Sequence, residues 1–245
     1  MPALDPAFGA ALDAGLGQLQ LDLTSAARAA IEAHVRLLLA WNAAINLTAI
    51  TDPAQVALRH VLDSLAAVPL LLDGSRERGG HGLRIVDLGS GGGFPGMPLS
   101  AALPHAHMTL VEAVAKKARF MGAAVIAADL GPRVAVVRAR AEQLDRRDCW
   151  DVAVARAVGT LPDLVELAMP RLRVGGRLIA WKGSDIDAEV AAGTRASAAL
   201  GGGAPAVHPV TVDGLEGHHL VTIEKRFPTP AGYPRDPAAR RARPW

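Results

Sequence analysis

The 245-residue sequence predicts an α/β fold, a mostly parallel seven-stranded sheet with helices on both faces, preceded by a helical N-terminal extension. Three observations carry this. From residue 83 onward, short apolar β-type runs alternate with helical segments at the spacing of parallel crossovers. The first of these runs leads into a glycine-rich loop and then a helix. Before residue 81 the patterning has the helical period only.

The elements follow in order. From Ser25 to Ala44, Ile31, Val35, Leu38 and Trp41 recur at three- and four-residue intervals, one face of a helix, with Thr24 or Ser25 as its cap. Asp52-Pro53 is a helix-start pair, and the helix it opens carries Val56, Leu58, Val61, Leu62 and Leu65 and ends near Pro69. Asp73 to Gly82, rich in Gly and Arg, reads as a linker. The expected strands are Leu83–Leu88, Met108–Glu112, Val134–Arg138, Val152–Ala155, Arg177–Trp181, a run near Val207–Val212 and Leu220–Lys225, the last two forming a hairpin-like pair. The expected helices between them are Pro98–Leu103, Ala115–Leu130, Leu161–Leu172 and Asp185–Leu200. The organisation is then an N-terminal helical extension over 1–80, a catalytic domain over 81–227 and a Pro/Arg-rich tail over 228–245. With Arg240, Arg241 and Arg243 and few apolar residues, that tail is expected to be mobile.

Composition narrows the function. Hydrophobic residues at 50% and charged residues at 20% allow a large core and exclude extensive disorder. Twenty-six basic against 24 acidic residues leave a net charge of +2, so the chain is not a polyanion-coating protein, and any nucleic-acid contact comes from a local patch. Cys149 stands alone, which excludes an internal disulfide and a four-cysteine zinc site, and no metal is expected. The sequence shows neither a signal-peptide pattern nor an uninterrupted apolar run of about 18 residues. The expectation is a cytoplasmic protein without a membrane partner, and a monomer.

The strongest chemical signal is Ile85-Val86-Asp87-Leu88-Gly89-Ser90-Gly91-Gly92-Gly93-Phe94-Pro95-Gly96. An apolar strand ends in an acid, alternating glycines follow, and a helix begins, so backbone can approach a ligand with no Cβ between. Gly91-x-Gly93-x-x-Gly96 matches a dinucleotide fingerprint. Read from Asp87, the same string matches the Asp-x-Gly-x-Gly-x-Gly loop of S-adenosylmethionine (SAM) enzymes. The acid directly before the turn favours SAM, with Asp87 as an acceptor for its amino-acid end. Glu112 ends the second strand, where a carboxylate accepts both ribose hydroxyls, a feature shared with nicotinamide sites. After the third strand, Ala141 and Glu142 are candidate adenine contacts.

The acceptor side is read from the fourth strand and beyond. It lacks the Asn/Asp-Pro-Pro-aromatic string of exocyclic-amine methylation. Carbon-5 methylation needs a cysteine nucleophile, and Cys149 lies in the wrong setting for one. An acceptor that is already nucleophilic remains, such as guanine N7, which carries a lone pair and no proton. Arg156, Arg140 and Lys182 are then the candidate catalytic residues, gripping phosphate or the guanine edge without acting as bases. Arg156→Ala is expected to harm transfer more than stability.

These residues resemble a known family. Trp41-Asn42-x-x-Ile45-Asn46-Leu47-Thr48, Arg59-His60-x-Leu62-Asp63-Ser64, Gly93-Phe94-Pro95-Gly96, Lys116-Lys117-x-x-Phe120, Arg140-Ala141-Glu142, Ala155-Arg156-Ala157 and Trp181-Lys182-Gly183 together are similar to the bacterial 16S rRNA guanine-N7 methyltransferases, the glucose-inhibited division protein B family. The similarity runs from about Thr24 to Lys225. It implies a Rossmann-like SAM-dependent methyltransferase fold and methylation of N7 of guanine 527 in the 530 loop, with 16S rRNA or the small subunit as partner. It implies cofactor contacts at Gly89, Phe94, Glu112, Ala141, Glu142 and Arg156, to which the reading of the glycine loop adds Asp87, Ser90 and Gly91. It marks Asn46, His60, Asp63 and Lys116 as RNA-contacting or site-shaping. His60 and Asp63, on one helix face, could form a local pair, and the role expected of His60 is to orient the helical cap over the SAM pocket. The alternatives are another RNA or a small-molecule acceptor, or a nicotinamide-nucleotide-binding protein.

Overall fold

A computed structural model describes residues 3–76, 82–144 and 147–245, with the side chains of all of these but 73–76. Seven strands, β1 Arg84–Leu88, β2 His107–Val111, β3 Val134–Val137, β4 Trp150–Arg156, β5 Leu172–Lys182, β6 Ala206–Pro209 and β7 His219–Glu224, form one sheet in the order β3-β2-β1-β4-β5-β7-β6. The first five pair in parallel, and β7 runs antiparallel to both β5 and β6. The strand order reverses between β1 and β4, so their carboxyl ends open a crevice, the usual ligand position in such sheets.

The helices are α1 Pro6–Leu19, α2 Ser25–Ile45, α3 (Pro53–Val56, a π-turn at Ala57–Leu62, then Asp63–Leu65), α4 Val68–Arg76, α5 Gly96–Ala102, α6 Ala115–Ala127, α7 Leu161–Ala168, α8 Asp187–Ala199 and α9 Pro237–Ala242. The period-2 alternation of the strands divides the core. Ile85, Met108, Leu110, Val152, Val154 and Ile179 face α1–α6, whereas Val86, Leu88, Val111, Ala153, Ala155 and Leu178 face α7 and α8. The N-terminal helices therefore share one core with the sheet. Thr24 and Asp52 cap α2 and α3 by accepting from the Ala27 and Gln55 amides at 3.1 and 2.9 Å.

The structure departs from the sequence expectations at several points. Pro69 does not end the third helix; it lies in the first turn of α4, where a proline's missing N–H costs nothing. The helix expected to run to Leu172 stops at Ala168, and β5 starts at Leu172, with a register irregularity between Trp150 and Val152. The expected linker 73–82 is helical as far as Arg76, and 77–81 lie outside the described residues. The stretch Pro53–Leu72 is long and apolar enough to cross a bilayer by composition, but Val56, Val61, Leu62, Leu65, Val68 and Leu71 are buried in the protein core.

The 228–245 segment corrects the expectation of a mobile tail. It carries α9, and Arg235 and Trp245 are held by Glu166, a wholly buried carboxylate of α7. A buried carboxylate needs a cation and donors, and this segment supplies them.

Candidate active site

The glycine loop leaves β1 and is held from three sides. The Gly89 and Ser90 amides both donate to the Val111 carbonyl at 2.9 and 3.0 Å, tying the loop to β2. Glu112 accepts from the Gly91 amide (3.0 Å) and the Val114 amide (2.7 Å). From α2, His34 Nε2 donates to the Gly92 carbonyl at 2.8 Å. Gly93 has φ +92°, and a Cβ there would lie 2.7 Å from His34 Nε2, so only glycine fits. At Gly91, with φ +57°, a Cβ would meet nothing closer than the Gly89 carbonyl at 3.9 Å, so the loop presents bare backbone to open space.

Asp87 sits beneath this loop rather than in it. It is wholly buried, its Oδ2 accepts from the Gly96 amide at 3.0 Å, and Oδ1 has no hydrogen-bond partner. Burial pushes its carboxyl up to about 7, against the Gly96 amide. Asp87 thus holds the loop from below through Oδ2, with Oδ1 left unbonded. The carboxyl is turned inward and anchors the start of α5.

Beside the loop lies a cleft of about 740 Å³, lined by Gly89, Val111, Glu112, Ala139, Arg140, Ala141, Glu142 and Val158, with residues of α7, α8 and the 228–245 segment. Arg171, buried, donates to the carbonyls of Ala141 (3.1 Å) and Glu142 (3.0 Å) and fixes the turn after β3. The Glu142 carboxylate is paired with Arg240. Bare glycine backbone, a carboxylate at the end of β2, and an orphaned buried Asp87 oxygen below fit a ligand that carries a ribose and a positive charge.

On the other side of the loop a second group converges. Phe94 stacks on His60, with centroids 4.7 Å apart and planes 23° from parallel; His34 lies 4.8 Å from Phe94 on centroids; and the Arg156 guanidinium sits 5.3 Å over the Phe94 ring. Arg156 Nη1 donates to Asp63 Oδ2 (2.8 Å) and to the Arg59 carbonyl (3.0 Å). Asp63 is buried, and its Oδ1 takes the Nδ1 proton of His218 at 2.9 Å. His60 meets Thr48 Oγ1 through Nε2 at 2.7 Å, and its Nδ1 is 3.4 Å from Arg156 Nη2. The local His60–Asp63 pair allowed by their spacing is absent from this arrangement; the π-turn at Ala57–Leu62 aims them at different partners, and Arg156 stands between them. Burial, then the Arg156 charge, lowers His60 to about 4, and burial lowers His34 to about 4, so both are neutral at pH 7. Asp63 raises His218.

The remaining candidates lie apart from this centre. Lys182 Nζ pairs with Glu189 Oε2 (2.6 Å) and donates to the Gly159 carbonyl (2.8 Å), so it braces the β4–α7 loop. Arg140 is exposed at the rim of the cleft, and Lys116 is exposed at the start of α6. Asn46, exposed with φ 50°, caps α2 in the left-handed conformation. Ser90 is buried and donates through Oγ to the Asp87 carbonyl at 3.2 Å, holding the turn. Cys149 donates to the Arg147 carbonyl and lies outside both groups. Sequence reasoning missed His34, Thr48 and His218. Asn42-x-x-Ile45-Asn46-Leu47-Thr48 held the available signal for Thr48, since Asn42 Oδ1 accepts from the Leu47 and Thr48 amides and fixes that turn.

Comparison with known proteins follows this geometry. The family described as rRNA small subunit methyltransferase G, GidB, matches residues 27–214. The chain belongs to the GidB family. A Ribosomal RNA small subunit methyltransferase G from Roseiflexus castenholzii is 47% identical over 200 residues, covering 80% of this chain and 82% of that protein. One from Xanthomonas euvesicatoria is 40% identical over 224 residues, covering 91% and 98%. Among solved structures, an O-methyltransferase from Bacillus cereus in complex with SAH superposes with a TM-score of 0.54 at 16% identity, over 79% of this chain and 91% of that one. A SAM-dependent O-methyltransferase from Thermotoga maritima gives 0.50 at 19% identity, over 79% and 72%. These structures share the fold, a Rossmann-like methyltransferase sheet. GidB membership makes SAM the cofactor. In this member of the GidB family the glycine loop therefore separates a nucleoside-sized cleft from the Phe94–His60–Arg156 group.

Proposed function

We propose that this chain transfers the methyl group of SAM to N7 of guanine 527 in the 530 loop of 16S rRNA. The observation that carries the reading is the aromatic and cationic group of Phe94, His60 and Arg156 against the glycine loop, in which His60, lowered to about 4, is a weak base and Asp63 is engaged by Arg156. Bound SAM supplies an electrophilic methyl group on a sulfonium. Glu112 would hold the ribose, Gly89 and Gly91 would admit the chain of the cofactor against backbone, and Ala141 and Glu142 would flank the adenine.

Guanine N7 has an in-plane lone pair and no proton, so the chain must position the base and need not deprotonate it. His60, neutral and hydrogen-bonded to Thr48, keeps a flat face on Phe94, and Arg156 places a fixed cation beside that ring. A guanidinium donates bidentately to the O6/N7 edge of guanine or to phosphate. Since a donor on N7 would block its lone pair, Arg156 acts on O6 or phosphate. Asp63 and the Arg59 carbonyl hold the guanidinium in place. Arg138, Arg140 and Lys116, all exposed, supply phosphate contacts toward the substrate. The reading takes the chain as a monomer, and an rRNA substrate supports a cytoplasmic site of action.

The test is primer extension on borohydride/aniline-treated 16S rRNA from a deletion strain. The stop at the 530 loop should vanish and return with the wild-type gene. A stop that persists in the deletion strain refutes the assignment. Calorimetry separates the nicotinamide alternative: S-adenosylhomocysteine binds, NADH does not.

A further inference from the structure

The 228–245 segment makes specific contacts along its length, and they converge on the cofactor cleft. Just before it, Arg226 and Phe227 donate their amides to the Gly201 carbonyl, and within it Thr229 Oγ1 donates to the Leu200 carbonyl at 2.9 Å. Arg147 Nη1 takes the Tyr233 carbonyl at 2.7 Å. Arg235 then closes on Glu166: its backbone amide (2.7 Å), Nε (3.0 and 3.1 Å) and Nη2 (2.6 Å) all reach that carboxylate. Trp245 Nε1 adds a further donor at 2.7 Å, and the Arg235 guanidinium lies 4.8 Å over the Trp245 ring. Burial raises the Glu166 carboxyl, but these donors outweigh it and hold the group below its ordinary range.

Between the two anchored residues, Arg235 and Trp245, α9 lines the cleft. Pro237, Arg240, Arg241, Pro244 and Trp245 line it opposite Gly89 and Glu112. Arg240 pairs with Oε1 of Glu142, and both side chains are mostly buried, at 11% and 18% exposure. Glu142 is the acid after β3, in the turn that Arg171 fixes from behind. The acid is thus held by the sheet at its backbone and by this segment at its carboxylate.

We propose that the 228–245 segment is the outer wall of the cofactor pocket, with Arg240 orienting Glu142 and the Arg235–Glu166–Trp245 cluster anchoring the wall to α7. The inference rests on the reading of the cleft as the cofactor site. The Arg240–Glu142 pair and this segment together hold one side of a ligand lying between Glu112 and α9. The wall therefore sets the dissociation rate more than the association rate. Arg240 is a positioning residue, acting through Glu142.

The experiment uses the full chain and S-adenosylhomocysteine. Stopped-flow dissociation compares wild type with Arg240→Gln, and hydrogen exchange follows the 236–243 amides of the wild type with and without the ligand. Removing one charge-assisted clamp should speed release about fivefold or more. The wild-type amides should exchange more slowly with the ligand bound, a readout that a purely structural role would leave unmoved and that needs no variant. Equal release rates in the two proteins, or 236–243 exchange that ignores the ligand, overturns the inference while leaving the cofactor reading standing. Failure of the wild type to bind S-adenosylhomocysteine at all overturns that reading, and the inference with it.

Discussion

Replacing Arg156 with glutamine removes the cation from a carboxylate that is almost out of water. Asp63 is 3% exposed in its side chain and Arg156 16%, and the pair is 2.8 Å apart. Breaking a buried pair from one side costs ~3–5 kcal/mol when nothing else compensates. Here His218 remains on Oδ1, so the expected loss is roughly 2–3 kcal/mol. In a chain of this size that lowers Tm by roughly 5–10 °C. The sequence-based expectation is that Arg156 matters to transfer more than to stability; the buried pair adds that the substitution should harm both. The assay is a double-mutant cycle of R156Q and D63N in urea. D63N alone leaves the guanidinium with only a neutral partner there, at a similar cost, and the double variant should fall short of the summed losses by at least about 1 kcal/mol. Additivity within about 0.3 kcal/mol would refute the argument that Asp63 fixes Arg156. A methyl-transfer assay on the same proteins should show loss of kcat in all three.

Further outcomes follow from the same geometry. G93A should lose cofactor binding and stability by ~2 kcal/mol or more, because φ +92° and the His34 ring both oppose a Cβ; near-normal calorimetry and urea unfolding would contradict this. His34 and His60, both lowered to about 4, bind protons in the unfolded chain first, so stability should fall as pH drops from about 6.5 toward 4. Asp87, raised to about 7, works in the opposite direction, since the folded chain holds its proton between its ordinary range and 7; D87N should therefore be more stable than wild type at pH 8, lose more stability on acidification, and bind S-adenosylhomocysteine more weakly. His218, raised by Asp63, contributes stability that is present below its unfolded pKa and lost as pH rises through its folded one, and H218N should flatten that slope in urea titrations. RNA affinity should fall linearly in log salt, and R140Q should reduce the slope by about 1; an unchanged slope would take Arg140 out of the RNA contact.

Period and punctuation made the scaffold legible. Ile85, Met108 and Val152 alternate with Val86, Leu88 and Ala153 across the sheet, so each strand could be read locally from its own residues. The glycine loop was legible because Gly91 and Gly93 sit at positive φ, which composition alone announces at that density. Long-range partners were not legible. His34 reaches the Gly92 carbonyl 58 residues away, and His218 reaches Asp63 across 155; in sequence they look like an ordinary helix residue and a loop residue. Lys182 ends β5 one residue beyond the expected strand, and nothing local shows that Glu189 takes its charge. The 228–245 segment was misread because its own composition cannot form a core. The clue lay elsewhere, in Glu166, an acid in the apolar run Leu164-Val165-Glu166-Leu167-Ala168 that must find a cation once buried.

The claim that the acceptor is an unprotonated ring nitrogen is tested most directly by atomic substitution in the RNA. Purified protein, tritiated SAM and small-subunit rRNA carrying 7-deazaguanosine at the 530-loop target should give no label transfer, while the same RNA with ordinary guanosine takes up one methyl per molecule. Equal labelling of the two RNAs would move the methyl to another atom and contradict the account.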